Sequence, residues 1–160
     1  MAIRQVRTMG DPILNQICKP VKQMTPRIAE LIGDMFETMY EANGVGLAAP
    51  QVGIMKRIVV MDVEDGNQYV LINPEILETS GSQTGSEGCL SVPGKVGDVT
   101  RPDYVKVRAF NENMEEIVLE GRELLARCIL HECDHLDGHL FVEKVEGELR
   151  DMAEEAEEEA

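Results

Sequence analysis

Residues 124–138 read LLARCILHECDHLDG, and the reading of this stretch decides the fold. Its first half is apolar on most sides, the mark of a helix buried in a core. The register predicts a helix from about Arg122 to Asp137, ended by Gly138. That register carries His131, Glu132 and His135 inward. A buried Glu without a partner is costly, so the three polar side chains need something to bind. At about 100° per residue, His131 and His135 lie roughly 40° apart around the axis. Glu132 lies about 100° from one and about 60° from the other. Two imidazoles so placed can grip one metal ion while the carboxylate reaches a water beside it, which is the logic of H-E-x-x-H. The competing reading is a pair of core histidines bonded to backbone. Cys133 lies about 200° from His131 and reads as packing, whereas Cys128 lies about 60° away and can line the site. His139, beyond Gly138, reads as surface.

A catalytic ion wants three protein ligands and an open position. An extended motif would place a third His at position 141, but that residue is Phe141. Glu residues downstream occur at almost every spacing and discriminate nothing. The strongest candidate lies upstream, Cys89 in EGCLSVPG (87–94). It sits in a Gly-flanked segment where backbone can come close to an ion, and a thiolate beside two imidazoles suits a divalent transition metal. The alternative for Cys89 is a buried thiol. A further stretch, GVGLAAPQVG (44–53), carries little side-chain bulk and suits close backbone approach to a ligand or a neighbouring strand. Gln51 within it offers a neutral amide donor for a developing oxyanion.

Around these segments the chain reads simply. Thr25-Pro26 is an N-cap with Pro in the first turn. Ile28, Leu31, Ile32, Met35, Phe36, Met39 and Tyr40 then form an amphipathic stripe that should stop at Asn43-Gly44. Residues 57–63 and 68–73 read as two strands joined by a short turn. Residues 104–110 and 116–120 read as another hairpin through a polar NENM turn. Residues 81–97, rich in Gly and Ser, read as a long loop, and loops of that length are mostly functional.

The 160 residues suit one domain, placed at 1–147, with an acidic tail at 148–160 that is frayed or disordered. A chain ending at Glu148 is expected to fold and function. Acidic residues number 30 against 15 basic, a net charge of −15. That argues against direct nucleic-acid binding, which favours Lys/Arg patches. No signal peptide or membrane-length apolar run is visible, so the expected location is cytoplasmic. The four Cys show no disulfide spacing.

GVGLAAPQVG, EGCLSVPG and HECDHLDG occur in the order and spacing of the three signature motifs of peptide deformylases, and roughly residues 1–142, including DPIL (11–14), resemble that family. The resemblance implies an α+β fold: antiparallel β-sheets wrapped around a buried central helix carrying HExxH, plus a long N-terminal amphipathic helix. It implies that Cys89, His131 and His135 hold one divalent metal, Fe2+ in the cell, with Zn2+, Ni2+ or Co2+ able to substitute. Ligand chemistry alone would suggest zinc. It implies that Glu132 is the acid/base, that Gln51 and the Leu90 N–H bind the oxyanion, and that Gly46 makes backbone contacts to the peptide. Gly44, Val45, Glu87 and Gly88 fall in the same two motifs and are assigned to the substrate. Helix facing places Cys128 and Ile129, with Val45, around a pocket for a Met side chain. The implied reaction removes the formyl group from N-formylmethionine on nascent peptides near the ribosome exit, by a monomer. Two departures stand out. Leu130 replaces a Gln common before the first His, and the acidic terminus could not dock on ribosomal RNA as a basic helix would. A general HExxH metallopeptidase and a non-catalytic metal-binding module are the competing functions. A formylated peptide tested against an unblocked one separates the first.

Overall fold

The computed structural model describes residues 2–152. The expected acidic tail therefore lies largely outside the described residues. Among these residues the architecture is α+β, with a five-stranded and a three-stranded antiparallel sheet and two α-helices. Helix α1 spans Pro26–Glu41, capped by the Thr25 side chain on the Ile28 N–H. It follows residues 2–25, which include a 3-10 turn at Pro12–Asn15, so it is not at the N-terminus itself. Strand β1 is Gly46–Ala48, followed by a short 3-10 turn at Ala49–Val52. Then come β2 (Ile58–Met61), β3 (Tyr69–Ser80), β4 (Gln83–Cys89), β5 (Val92–Arg101), β6 (Tyr104–Phe110) and β7 (Glu116–Arg122). Helix α2 is Leu124–Leu136, and β8 is Glu146–Asp151.

The order β1-β2-β3-β6-β7 explains the buried strand β2, whose four residues are all inaccessible. Side chains alternate across a strand. Ile58 and Val60 join Leu31, Met35 and Met39 of α1 in one core cluster. Val59 and Met61 join Ala126, Ile129 and Leu136 of α2 in another. The sheet is thus covered by α1 on one face and α2 on the other, and α2 is held in the middle of the molecule. Among the described residues, no helix is long and apolar enough to cross a membrane.

Three expectations change. The Gly/Ser-rich segment 81–97 is not a loop: β4 and β5 pair from Gln83↔Arg101 to Cys89↔Val92 and form a hairpin. Glycines serve here because a neighbour comes close. A Cβ on Gly97 would lie 2.7 Å from the Val145 side chain. Strand β3 does not end at Asn73. That residue takes φ 52°, its side chain bonds both the N–H and C=O of Val21, and the strand resumes after a register shift. Finally, residues 146–151, partly assigned to the tail, form β8 against β5. The proposed boundary at 147 falls inside a strand.

Strand β7 turns directly into α2 through Glu123 at φ 52°, so the helix starts two residues later than its pattern suggests. It ends as expected. Gly138, at φ 83°, follows the cap, and a Cβ there would lie 2.7 Å from the Asn15 backbone. The N-terminal segment crosses this end, with the Cys18 N–H donating to the Leu136 carbonyl.

Candidate metal centre and active site

Helix α2 presents Arg127, Cys128, His131 and Glu132 to a cleft that β1, the following 3-10 turn and the β4–β5 hairpin complete, with His135 buried one turn behind His131. The cleft has a volume of about 620 Å³. Strand β4 ends at Cys89, where the register shifts between Gly88 and Cys89. That irregularity aims the thiol at α2. Its Sγ lies 3.3 Å from His135 Nε2. Ligand atoms of Cys89, His131 and His135 all fall within 4.8 Å of one another. The His rings meet edge to face with centroids 5.0 Å apart. Phe141, at the position where a third His would stand in the extended motif, stacks on His131 at 6.0 Å.

The outer nitrogen of His131 is bound by Glu87, whose carboxylate bonds Nδ1 and leaves Nε2 for the cleft. Glu87 has no capacity to spare. It accepts from Arg101 Nε and Nη2 at 2.9 and 2.6 Å, from Arg127 Nη1 at 2.7 Å, and from His131. These four bonds fill the acceptor positions of a carboxylate. Glu87 lines the cleft, as a substrate-binding residue would, but its carboxylate is committed to protein donors and stands behind His131 as carboxylates stand behind metal-bound imidazoles. Burial pushes the Glu87 carboxyl up, but bonds from Arg101 and His131 outweigh it and hold it well below the usual range. Arg101 also reaches Asp134 at 3.0 Å, tying the hairpin to the helix twice.

Glu132 is different. It is 5% exposed, and its Oε1 has no hydrogen-bond partner among the described residues. Burial raises its carboxyl to about 7, with His131 opposing and Glu87 adding to the rise. A Cβ on Gly46 would lie 2.5 Å from Glu132 Oε2 and 2.8 Å from Cys128 Sγ. Gly46 is thus required first by the carboxylate packed against it. Gly44 makes room for Leu90, whose Cδ1 would lie 2.9 Å from an added Cβ.

Gln51 is 1% exposed and fixed at both ends of its amide. Its Oε1 accepts from the Ala48 N–H at 2.9 Å, and its Nε2 donates to Ser91 Oγ at 3.0 Å beside Cys89 Sγ at 3.6 Å. The donor end therefore faces the thiol. Of the residues assigned to the substrate, Gly44, Val45, Gly46, Glu87, Gly88 and Cys128 line the cleft, as does Leu90. Ile129 does not. It is fully buried in the cluster beneath the helix, against β6 and β7. Cys133 packs in the same cluster, with burial pushing its thiol up to about 12. His139 is exposed and 3.3 Å from Glu143.

The donor set fits a metal ion. Burial drives His135 down while Glu132 and Cys89, against burial, drive His131 up. Unpartnered polar atoms, His135 Nδ1 and Glu132 Oε1, remain at the same place.

The polypeptide deformylase family profile matches residues 3–151. The chain belongs to the polypeptide deformylase family. It is 66% identical over 152 residues to a peptide deformylase of Agathobacter rectalis, covering 95% of this chain and 96% of the other. A peptide deformylase of Lachnoclostridium phytofermentans is 58% identical and covers 99% of both. Among solved structures, a peptide deformylase from Thermotoga maritima superimposes with a TM-score of 0.88 at 40% identity, covering 91% of this chain and 99% of that one. One from Synechococcus elongatus, in complex with actinonin, gives 0.86 at 46% identity, covering 89% and 78%. The deformylase motifs are the segments that build the cleft. The sequence did not reveal the Arg101–Glu87–Arg127 clamp. Arg127 lies one turn before His131 on the same face of an apolar helix, and that spacing was the available signal.

Proposed function

We propose that this cleft performs its hydrolysis through a division of labour in which Glu132 moves the protons and the chain around Gly46 and Leu90 holds the substrate. The chain is a hydrolase that removes the formyl group from N-formylmethionine at the amino terminus of new polypeptides and releases formate. The observation that carries the mechanism is the unpartnered buried carboxylate of Glu132 beside three converging ligand side chains. Cys89, His131 and His135 would hold one divalent ion, which when bound supplies a Lewis acid and acidifies a water.

Glu132 accepts a proton from the attacking water as its oxygen bonds to the formyl carbon. Gln51 Nε2 and the Leu90 N–H donate to the oxyanion that develops on the formyl oxygen. Glu132 then delivers the proton to the departing amine nitrogen, the C–N bond breaks, and formate and a free amino terminus result. Glu87 keeps His131 in one tautomer throughout. Val45 and Cys128 border the space for the Met side chain, and Ile129 supports Cys128 from below.

Ferrous iron is the proposed ion in the cell, with zinc, nickel or cobalt able to replace it. A thiolate-bound ferrous ion invites oxidation of both the ion and Cys89, so activity should decay in air and persist under nitrogen or after nickel exchange. The proposed setting is cytoplasmic, on nascent chains near the ribosome exit, as a monomer and without direct RNA contact, given the net charge of −15.

The test is metal analysis of anaerobically purified protein paired with formate release from a formyl-Met peptide and an unblocked control. Cys89→Ala should lose the ion and keep its fold, and Cys133→Ala should keep both ion and activity. A full metal equivalent in Cys89→Ala would place the third ligand elsewhere. Cleavage of the unblocked peptide would instead favour a general peptidase.

A further inference from the structure

Strand β8 brings the far end of the chain to the cleft. It pairs with β5 through Lys95↔Asp151 and Val96↔Arg150, and ion pairs join Lys95 to Asp151 and Arg150 to Asp98. The next residue, Met152, then lines the cleft although it is more than a hundred residues from β1 in sequence. Met152 is 53% exposed. Two other large apolar side chains on the same cleft are also exposed: Leu124, the first residue of α2, at 49%, and Val45, just before β1, at 40%. Three separate elements therefore place uncovered apolar side chains around one opening, while the catalytic groups beneath them are buried. Scattered exposed hydrophobics need no explanation, but a cluster on a binding cleft marks a surface that another apolar group covers.

We propose that Met152 is a specificity-determining residue, which with Leu124 receives apolar side chains of the peptide downstream of formyl-Met, next to the Val45 that borders the Met side chain. This inference rests on the deformylase reading above. The formyl group and first residue occupy the buried end near Cys89, His131 and Glu132, which leaves the rim to the residues that follow. A thioether on an unbranched side chain adapts to side chains of different shape, so the preference is for apolar character and not for one residue. The pairing of β8 with β5 holds Met152 in place.

The experiment compares formyl-Met-Leu-Leu with formyl-Met-Ser-Ser by steady-state formate release, using the metal-loaded full-length protein. Wild type should favour the Leu peptide. Met152→Ala should shrink that preference by roughly three- to tenfold, the scale of partial burial of one apolar side chain. The change should appear in KM for the Leu peptide with kcat retained, because the contact is the same in ground and transition states. Met152→Leu should restore it, and Met152→Glu should reduce it further. An unchanged Leu/Ser ratio in Met152→Ala overturns the inference, as does an equal loss on both peptides or a loss confined to kcat. Direct titration of the product peptide Met-Leu-Leu against wild type and Met152→Ala decides the rim's role independently of turnover. Weaker binding to the variant supports it, and equal binding overturns it. Absence of formate release from both peptides by wild type would reject the deformylase reading alone.

Discussion

On one side of His131 lies Glu87, held by two arginines; on the other lies Glu132, packed against a glycine. Both carboxylates are about 95% buried. The first spends every lone pair on protein donors and stays charged. The second has one oxygen with no partner and a carboxyl raised to about 7. A buried charge that is fully paired can hold a neighbour still, and one that is not can exchange protons. The difference teaches which acid builds the site and which works in it, although the two stand two residues and one residue from a metal-ligand candidate and look alike in composition.

The largest expected effect tests the working side. Glu132→Gln should lower formate release by at least roughly 10²–10⁴, the usual contribution of a general acid/base. It should keep its metal and be no less stable to urea, since an unpartnered buried carboxylate is lost. Near-normal turnover in the metal-replete variant would remove Glu132 from the chemistry. Glu87→Gln should do the opposite. It leaves two buried guanidiniums short of a charge partner, so unfolding free energy should fall by about 3 kcal/mol, with metal affinity down roughly 10- to 100-fold. A stable Glu87→Gln protein with unchanged metal affinity would show that the two acids are not so different.

The tail offers a smaller test. Ending the chain at Glu148 was expected to be harmless, but Leu149–Asp151 belong to β8 and Met152 lines the cleft. Such a chain should lose about 1–2 kcal/mol of stability through the missing ladder and the Arg150–Asp98 pair. A chain ending at Met152 should match full length in kcat/KM. Equal melting of the two truncated chains would mean that β8 is dispensable.

A third buried acid extends the comparison at the smallest scale. Asp34 accepts from the Ala2 N–H at 2.6 Å and from Arg4 Nε at 2.9 Å. The Ala2 bond first, then Arg4, hold its carboxyl below the usual range despite burial. A depressed carboxyl contributes stability above its unfolded value, near 3.9, and loses it as pH falls through the folded value. Asp34→Asn should therefore cost about 1 kcal/mol at pH 7, and the gap to wild type should close as acid titrates the carboxylate. A gap that persists below pH 2 would trace to packing.

Much of this was legible in the chain. The buried helix announced itself through LLARCIL, and the pair at 131 and 135 followed from its register. Cys89 stood out because a third ligand was needed and few residues could supply it. The hairpin at 83–101 was obscured because its glycines answer to neighbours such as Val145 and Arg127, which local propensity does not register. The clamp on Glu87 was hidden for a related reason. Its partners lie 14, 40 and 44 residues away, and only the folded chain brings them together. Ile129 was misplaced because an apolar face near a site can point to the site or to the floor beneath it.

The crossing of Asn15 over Gly138 also fixes a calendar for each new copy. Those two segments are separated by 123 residues and touch only after the chain has been made through Gly138. Helix α2, which carries Arg127, Cys128, His131 and Glu132 of the cleft, is made long after the β1 side of it. Loops of that span close slowly and at an entropic cost. A growing chain therefore owns no working site until α2 has been made and the segment around Asn15 has folded across its end.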